Sequence, residues 1–167
     1  MKKLYLIRHA KSSWKDLELS DFDRPLNKRG KEDAPLMGEL LAQMGVVPGA
    51  IYSSPAKRAK RTAKIIAQKV GFNKDINFID RVYEASSYEL LDLIRSFSDK
   101  YSSVFLFGHN PGFSLLAEDL SGEYVENIPT SGIYAISFDI EKWRDVGEGE
   151  GKAIGFWYPK KDLLIYQ

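Results

Sequence analysis

Leu4-Tyr5-Leu6-Ile7-Arg8-His9 decides the fold. The run from Leu4 to Ile7 is apolar without polar alternation, the pattern of a strand covered on both faces and therefore central in a sheet. It ends abruptly in two groups that can carry positive charge, and the chain holds only two histidines. Ala50-Ile51-Tyr52 and Val104-Phe105-Leu106-Phe107 repeat the pattern, each followed at once by Ser, Gly, Asn or Pro punctuation.

Helical stretches separate these strands. The first begins between Asn27 and Asp33, with Pro35 blurring its start, carries Met37, Leu40, Leu41 and Met44 on one stripe, and stops at Gly45. The second takes Ser54 as N-cap and Pro55 as first helical residue, buries Ala59, Ala63, Ile66 and Val70, and ends at Gly71. A capping box from Ser86 to Glu89 opens the third, which runs through Leu90, Leu91, Leu93, Ile94 and Phe97. The fourth has Asn110 as cap and Pro111 next, then Leu115, Leu116 and Leu120, with Gly122 past its end. Strand and helix alternating over short connections imply right-handed crossovers and a parallel sheet. Ile133 to Ile140 and Lys152 to Tyr158 are two β-rich runs joined through the loop Asp145 to Gly151, which reads as a hairpin. The expected fold is α/β: a three-layer αβα sandwich, mostly parallel, with a C-terminal antiparallel hairpin.

Composition narrows the function. The chain has 167 residues, 44% apolar and 28% charged, which fits a soluble globular protein able to bury about two-thirds of its unfolded surface. No linker, repeat or low-complexity tract divides it, so residues 1–167 read as one domain. A net charge of +1 creates no global field for nucleic acid or anionic lipid. Cysteine is absent, which removes disulfides, thiolate metal sites and cysteine nucleophiles. Met1-Lys2-Lys3 imitates the basic start of a signal peptide, but the apolar run stops at Ile7, too short for a signal or a membrane span. A cytoplasmic protein is expected, with no membrane and no nucleic-acid partner. The two histidines lack metal-ligand spacing, and neither a phosphate loop nor a dinucleotide fingerprint is present, so no metal and no cofactor is expected.

His9 and His109 each lie just past a buried strand, and Arg58 lies in the first turn of the helix that follows another. In an open α/β sheet that edge is where ligands bind. Arginine offers a planar fork of donors that suits phosphate oxygens. Lys57, Arg58, Lys60 and Arg61 crowd a helix start whose dipole disfavours cations, which makes sense if at least one of them meets an anion. For Lys57, Lys60, Lys64 and Lys69 the plainer reading is a solvated basic face.

Arg8-His9, Ser54-Pro55-Ala56-Lys57-Arg58-Ala59-Lys60-Arg61-Thr62-Ala63 and Gly108-His109-Asn110-Pro111-Gly112 together resemble the histidine phosphatase superfamily, which also contains the cofactor-dependent phosphoglycerate mutases. Asp23-Arg24-Pro25-Leu26-Asn27-Lys28-Arg29-Gly30 and Pro129-Thr130-Ser131-Gly132 look like its short phosphohistidine phosphatase branch, named for SixA. The resemblance runs from about residue 3 to residue 140 and rests on motifs in matching order and spacing. Where the superfamily has Arg-His-Gly, Ala10 keeps a small residue here.

The resemblance implies a phosphoglycerate mutase-like fold and a hydrolase in which His9 is the nucleophile and carries the phosphoryl group. Arg8, Arg58 and His109 would clamp its equatorial oxygens, with Arg24 a fourth phosphate contact; an ion pair with Asp21 or Asp23 is the alternative for Arg24. Glu84 would protonate the leaving oxygen, or else merely favour a helix dipole. Ser12, Ser13 and the Asn110 N–H are further candidate donors. Larger relatives build a cap after the region of Glu84, whereas here one helix and one strand fill the stretch to His109. An open site suits phosphate displayed on a protein, such as phosphohistidine on a phosphotransfer domain, and does not suit a mutase that must keep an intermediate from water. The alternatives are a phosphatase for a small phosphorylated molecule and a non-catalytic phosphate-binding module, which would need the arginines but not both histidines and Glu84.

Overall fold

In the computed structural model, which describes residues 1–162, β1 (Lys2–Arg8) is an inner strand. It pairs parallel with β4 (Ser103–Gly108) on one side and antiparallel with β5 (Ile133–Phe138) on the other. Beyond β4 lie β2 (Ala50–Ser53) and the two-residue β3 (Asn77–Phe78), both parallel, and beyond β5 lies β6 (Lys152–Trp157), antiparallel. The order is β3-β2-β4-β1-β5-β6, a mostly parallel sheet with the expected hairpin at one side.

Alternation along β1 feeds two cores. Leu4 and Leu6 pack with Val104, Leu106 and Phe113 on one face, Tyr5 and Ile7 with Phe105, Phe107, Met37 and Ile66 on the other. Leu4, Leu6 and Ile7 are fully buried, each contributing roughly 1.5–3 kcal/mol by area. Helices α1 (Lys28–Gln43) and α2 (Lys57–Lys69) cover the second face, and α3 (Ser87–Arg95) and α4 (Gly112–Ser121) the first. A one-turn α5 (Pro159–Asp162) follows β6. Lys2, read above as imitating a leader, is a buried strand residue whose Nζ donates to the carbonyls of Asp99 (2.6 Å) and Tyr101 (3.0 Å).

Local rules held where no tertiary partner competed. Asn27 caps α1 by accepting from Gly30 N–H, Pro35 is carried inside that helix, and Ser86 and Glu89 form the complete capping box of α3. Three expectations need correction. Helix α2 starts at Lys57, with Ala56 and not Ser54 at its cap; Ser54 Oγ accepts from Ala56 N–H (3.2 Å), ahead of the first turn, and also contacts His109. Pro111 occupies the formal cap of α4, although the Asn110 side-chain Oδ1 still accepts from Ser114 N–H (3.2 Å), one turn in. Met44 and Leu115, read as core, are 40% and 50% exposed; Met44 lies past the last turn of α1, and nothing in the structure covers Leu115.

Candidate active site

Parallel pairing aligns the strand ends. Arg8 is in register with Gly108, so the next residues, His9 and His109, stand side by side with ring centroids 5.1 Å apart. The neighbouring β2 delivers Ser54, whose Oγ lies 2.8 Å from His109 Nε2.

His9 is held from several directions and is 6% exposed. Its N–H donates to Gly108 O (3.1 Å), its carbonyl accepts from Ser131 N–H (3.0 Å), and its Nδ1 lies 2.7 Å from Ala10 O. A carbonyl only accepts, so Nδ1 carries the proton and Nε2 keeps its lone pair. Burial lowers the His9 pKa to about 3; the Ala10 contact opposes this, and the positive potential of His109, Arg58 and Arg8 adds to it. The imidazole is therefore neutral at pH 7. Thr62 Oγ1 accepts from Ala10 N–H (2.9 Å) and donates to Arg58 O (2.7 Å), tying the His9 segment to α2.

Around these rings converge Arg8, Arg24 and Arg58. Arg58, 5% exposed, donates to the Asp21 carbonyl (2.6 Å) and carboxylate (3.0 Å). Arg24, 7% exposed, donates to Ser12 Oγ (2.9 Å) and Asp21 Oδ1 (3.2 Å), and its guanidinium stacks 3.4 Å over Trp14. Arg8 donates to Ile128 O (3.0 Å), and its pKa is lowered by burial and by Arg58. Asp21 also accepts from the Tyr83 hydroxyl (2.5 Å). That bond, with Arg58, holds the Asp21 carboxyl down at about 2 against the effect of burial. Tyr83 is pushed up to about 12 by burial and by Asp21. His109 is lowered to about 4, first by burial, then by Arg58, with Asp21 opposing.

These groups enclose a cleft of about 240 Å³, walled by Arg8, His9, Arg24, Arg58 and His109 together with Lys11, Ser12, Trp14, Asn110 and Thr130. Among the described residues, Arg8 Nε, Arg58 Nε and His109 Nδ1 are buried without a hydrogen-bond partner. Buried donors left unpaired are costly, and several converging on one small cleft suit an oxyanion that supplies the missing acceptors. A neutral imidazole with a free Nε2 beside them can attack an electrophile held there.

Five of the six expected site residues thus meet. Glu84 does not line the cleft; it is exposed and sits in left-handed backbone (φ 57°) next to Tyr83, a conformation that costs a non-glycine residue roughly 1–2 kcal/mol. Ser12 and Asn110 lie on the wall, whereas Ser13 Oγ accepts only from Lys15 N–H. Sequence reasoning left Tyr83 unused and gave Ser54 the wrong task. It considered Asp21 only as a partner of Arg24, missing its contacts with Arg58 and Tyr83. Thr62 and Ser131 stood inside the quoted motifs without a role; Ser131 is buried in left-handed backbone (φ 63°) where it holds His9.

The model of the histidine phosphatase superfamily (branch 1) matches residues 4–105. An uncharacterised chloroplast protein of Arabidopsis thaliana is 37% identical over 98% of this chain and 81% of its own length. The chain belongs to the histidine phosphatase superfamily. A crystal structure of the putative phosphohistidine phosphatase SixA from Agrobacterium tumefaciens superposes with a TM-score of 0.82 at 31% identity, covering 95% of this chain and 98% of that one. The fold is shared as well with a protein histidine phosphatase SixA complexed with tungstate, at a TM-score of 0.78 and 21% identity over 95% and 98% of the two chains. This histidine phosphatase is accordingly a hydrolase of phosphorylated substrates, of the SixA-like branch. Among the described residues no helix is long and apolar enough to cross a membrane, and no group of three or more His, Asp or Glu could hold a metal ion.

Proposed function

We propose that the protein removes phosphate from phosphohistidine on a protein, through a phosphoryl group carried on His9. His9 Nε2 attacks phosphorus in line, the Nε2–P bond forms as the bond to the substrate nitrogen breaks, and that nitrogen leaves on an imidazole already protonated at its other position. Water then attacks the phosphorylated His9, releasing inorganic phosphate and restoring the lone pair; the proton lost by water passes to solvent. Ala10 O holds the Nδ1 proton throughout and stabilises the positive charge that the ring gains on phosphorylation. Arg8, Arg58, Arg24 and His109 bind the equatorial oxygens, where charge gathers in a phosphoryl-transfer transition state.

The observation that carries the substrate reading is the short stretch between Glu84 and His109, which holds no inserted cap. The cleft holds about 240 Å³, room for a phosphoryl group and part of what bears it, and the stretch from Glu84 to His109 forms only α3, β4 and short turns. The relative from Agrobacterium tumefaciens named a putative phosphohistidine phosphatase supports the same substrate class. One observation favours a small phosphomonoester instead: Glu84 is an exposed carboxyl held in strained backbone near the cleft, and an alkoxide leaving group needs an acid more than an imidazole does. The deciding measurement is kcat/KM for phosphate release from a histidine-phosphorylated phosphotransfer protein, side by side with a panel of small monoesters, with His9→Ala as blank. We expect His9→Ala to be inactive and the phosphoprotein to be preferred at least tenfold, about 1.4 kcal/mol in the transition state. Glu84→Gln should slow the monoesters more than the phosphoprotein. Preference for a monoester would overturn the substrate assignment.

A further inference from the structure

Outside the cleft, the basic face of α2 borders a groove. Lys57, Lys60, Arg61 and Lys64 line a groove of about 430 Å³, closed on the α1 side by Lys31 and by Pro25 and Leu26. Five cations and no carboxylate line it, in a chain whose net charge is only +1. None of the five forms an ion pair among the described residues, whereas Lys69, farther along α2, pairs with Glu39 at 3.2 Å. Confining like charges to one concave wall costs energy unless an anion offsets it.

The groove adjoins the catalytic cleft on two segments. Pro25 follows Arg24, and Lys57 precedes Arg58, so each wall passes from groove to cleft within one residue. Along α2 the charges span from Lys57 to Lys64, about 10 Å at 1.5 Å per residue. Four of the five cations around the groove are exposed and follow one helix over two turns, which suits several carboxylates along a surface better than one phosphate. On the cleft wall, Trp14 is 68% exposed. That apolar area is of no use to a small polyanion and is usable by a protein.

We infer that this groove docks an acidic surface of the phosphoprotein substrate, steering its phosphohistidine onto His9. The inference rests on the phosphoprotein reading of the cleft and adds where that partner is recognised and by which charge. Long-range attraction of this kind raises the association rate and weakens with salt.

The test compares wild type with Lys60→Glu/Lys64→Glu and with Lys100→Glu/Lys152→Glu, which makes the same change in net charge away from the groove. Phosphohistidine-protein hydrolysis and p-nitrophenyl phosphate hydrolysis are followed from low to high salt. We expect the groove variant to lose at least tenfold in kcat/KM on the phosphoprotein, to lose most of its salt dependence, and to stay within twofold on the small monoester. The control pair should stay within about threefold on both. Equal losses on the two substrates, or no selective loss, overturn the groove's role. Wild-type protein that cleaves the monoester but leaves the phosphoprotein intact sinks the substrate reading instead. The groove is then judged by binding of hexaglutamate to the His9→Ala chain. Binding that Lys60→Glu/Lys64→Glu weakens tenfold supports a carboxylate-rich partner. No binding, or tighter binding of tripolyphosphate or of a single-stranded oligonucleotide, overturns it.

Discussion

Ser54 shows how much one hydroxyl can decide. At neutral pH His109 has one ring proton, since its pKa is lowered to about 4, and a phosphoryl oxygen needs that proton on a nitrogen free to donate. Ser54 Oγ already accepts from Ala56 N–H at 3.2 Å and lies 2.8 Å from His109 Nε2. By giving its own proton to Nε2, Ser54 leaves the ring proton on Nδ1, the nitrogen without a partner among the described residues. Ser54 is then a positioning residue, acting through the orientation and tautomer of His109. Removing such a hydrogen bond at a buried group costs about 1–3 kcal/mol, so Ser54→Ala should lower kcat/KM by roughly ten- to hundredfold. Ser54→Thr, which keeps the hydroxyl, should recover most of the loss while Ser54→Ala melts within a few degrees of wild type. Full activity in Ser54→Ala would show that the contact does not set the tautomer.

At the scale of elements, the segment from Arg24 to Gly30 acts as a clip on the chain that leaves His9. Arg24 donates to Ser12 Oγ, Ser13 N–H to Pro25 O, Leu26 bridges to Ser12, and Asn27 N–H donates to Lys11 O. Gly30 completes the clip, since a Cβ there would stand 2.2 Å from Lys11 O. Overpacking against backbone typically costs about 1–3 kcal/mol. Gly30→Ala should therefore destabilise the fold by about that much in urea denaturation and cut kcat more than KM, because it moves the segment carrying His9; wild-type kcat with reduced stability would assign the glycine to packing alone. This motif was legible in the sequence as a resemblance, but its mechanical reason was not, because it lies in backbone atoms that meet only after folding. The buried strands, by contrast, announced themselves as unbroken apolar runs. Strand β3 has two residues and no periodicity to detect. The Tyr83–Asp21 bond joins positions 62 apart, and no local pattern carries it. Ser54-Pro55 satisfies the local rule for a cap, but the Ser54 hydroxyl meets Ala56 N–H and His109, not an N–H of the first turn of α2.

For the whole molecule, the topology that brings three parallel strand ends together also sets how stability depends on pH. His9 and His109 sit where burial and arginines keep both rings neutral, with pKa values of about 3 and about 4; in the unfolded chain each would titrate near 6.5. Between pH 7 and pH 5 the unfolded chain therefore takes up protons that the folded chain refuses. Where the unfolded state binds more protons, stability rises with pH, so acidification across this window must destabilise the fold, and above pH 7 the two rings contribute no further change. Asp21 works in a lower window: held at about 2, it stabilises the fold above the ordinary carboxylate range and loses that contribution only as pH falls toward 2. From pH 7 to pH 5 the two histidines together should remove roughly 2–4 kcal/mol, read as a lower urea midpoint at unchanged m-value. His9→Gln/His109→Gln should show a much flatter profile over the same interval. If wild type is equally stable at pH 5 and pH 7, or the double variant falls as steeply, the rings titrate in the folded state near their ordinary value, and His9 would lose by pH 5 the lone pair that its attack requires.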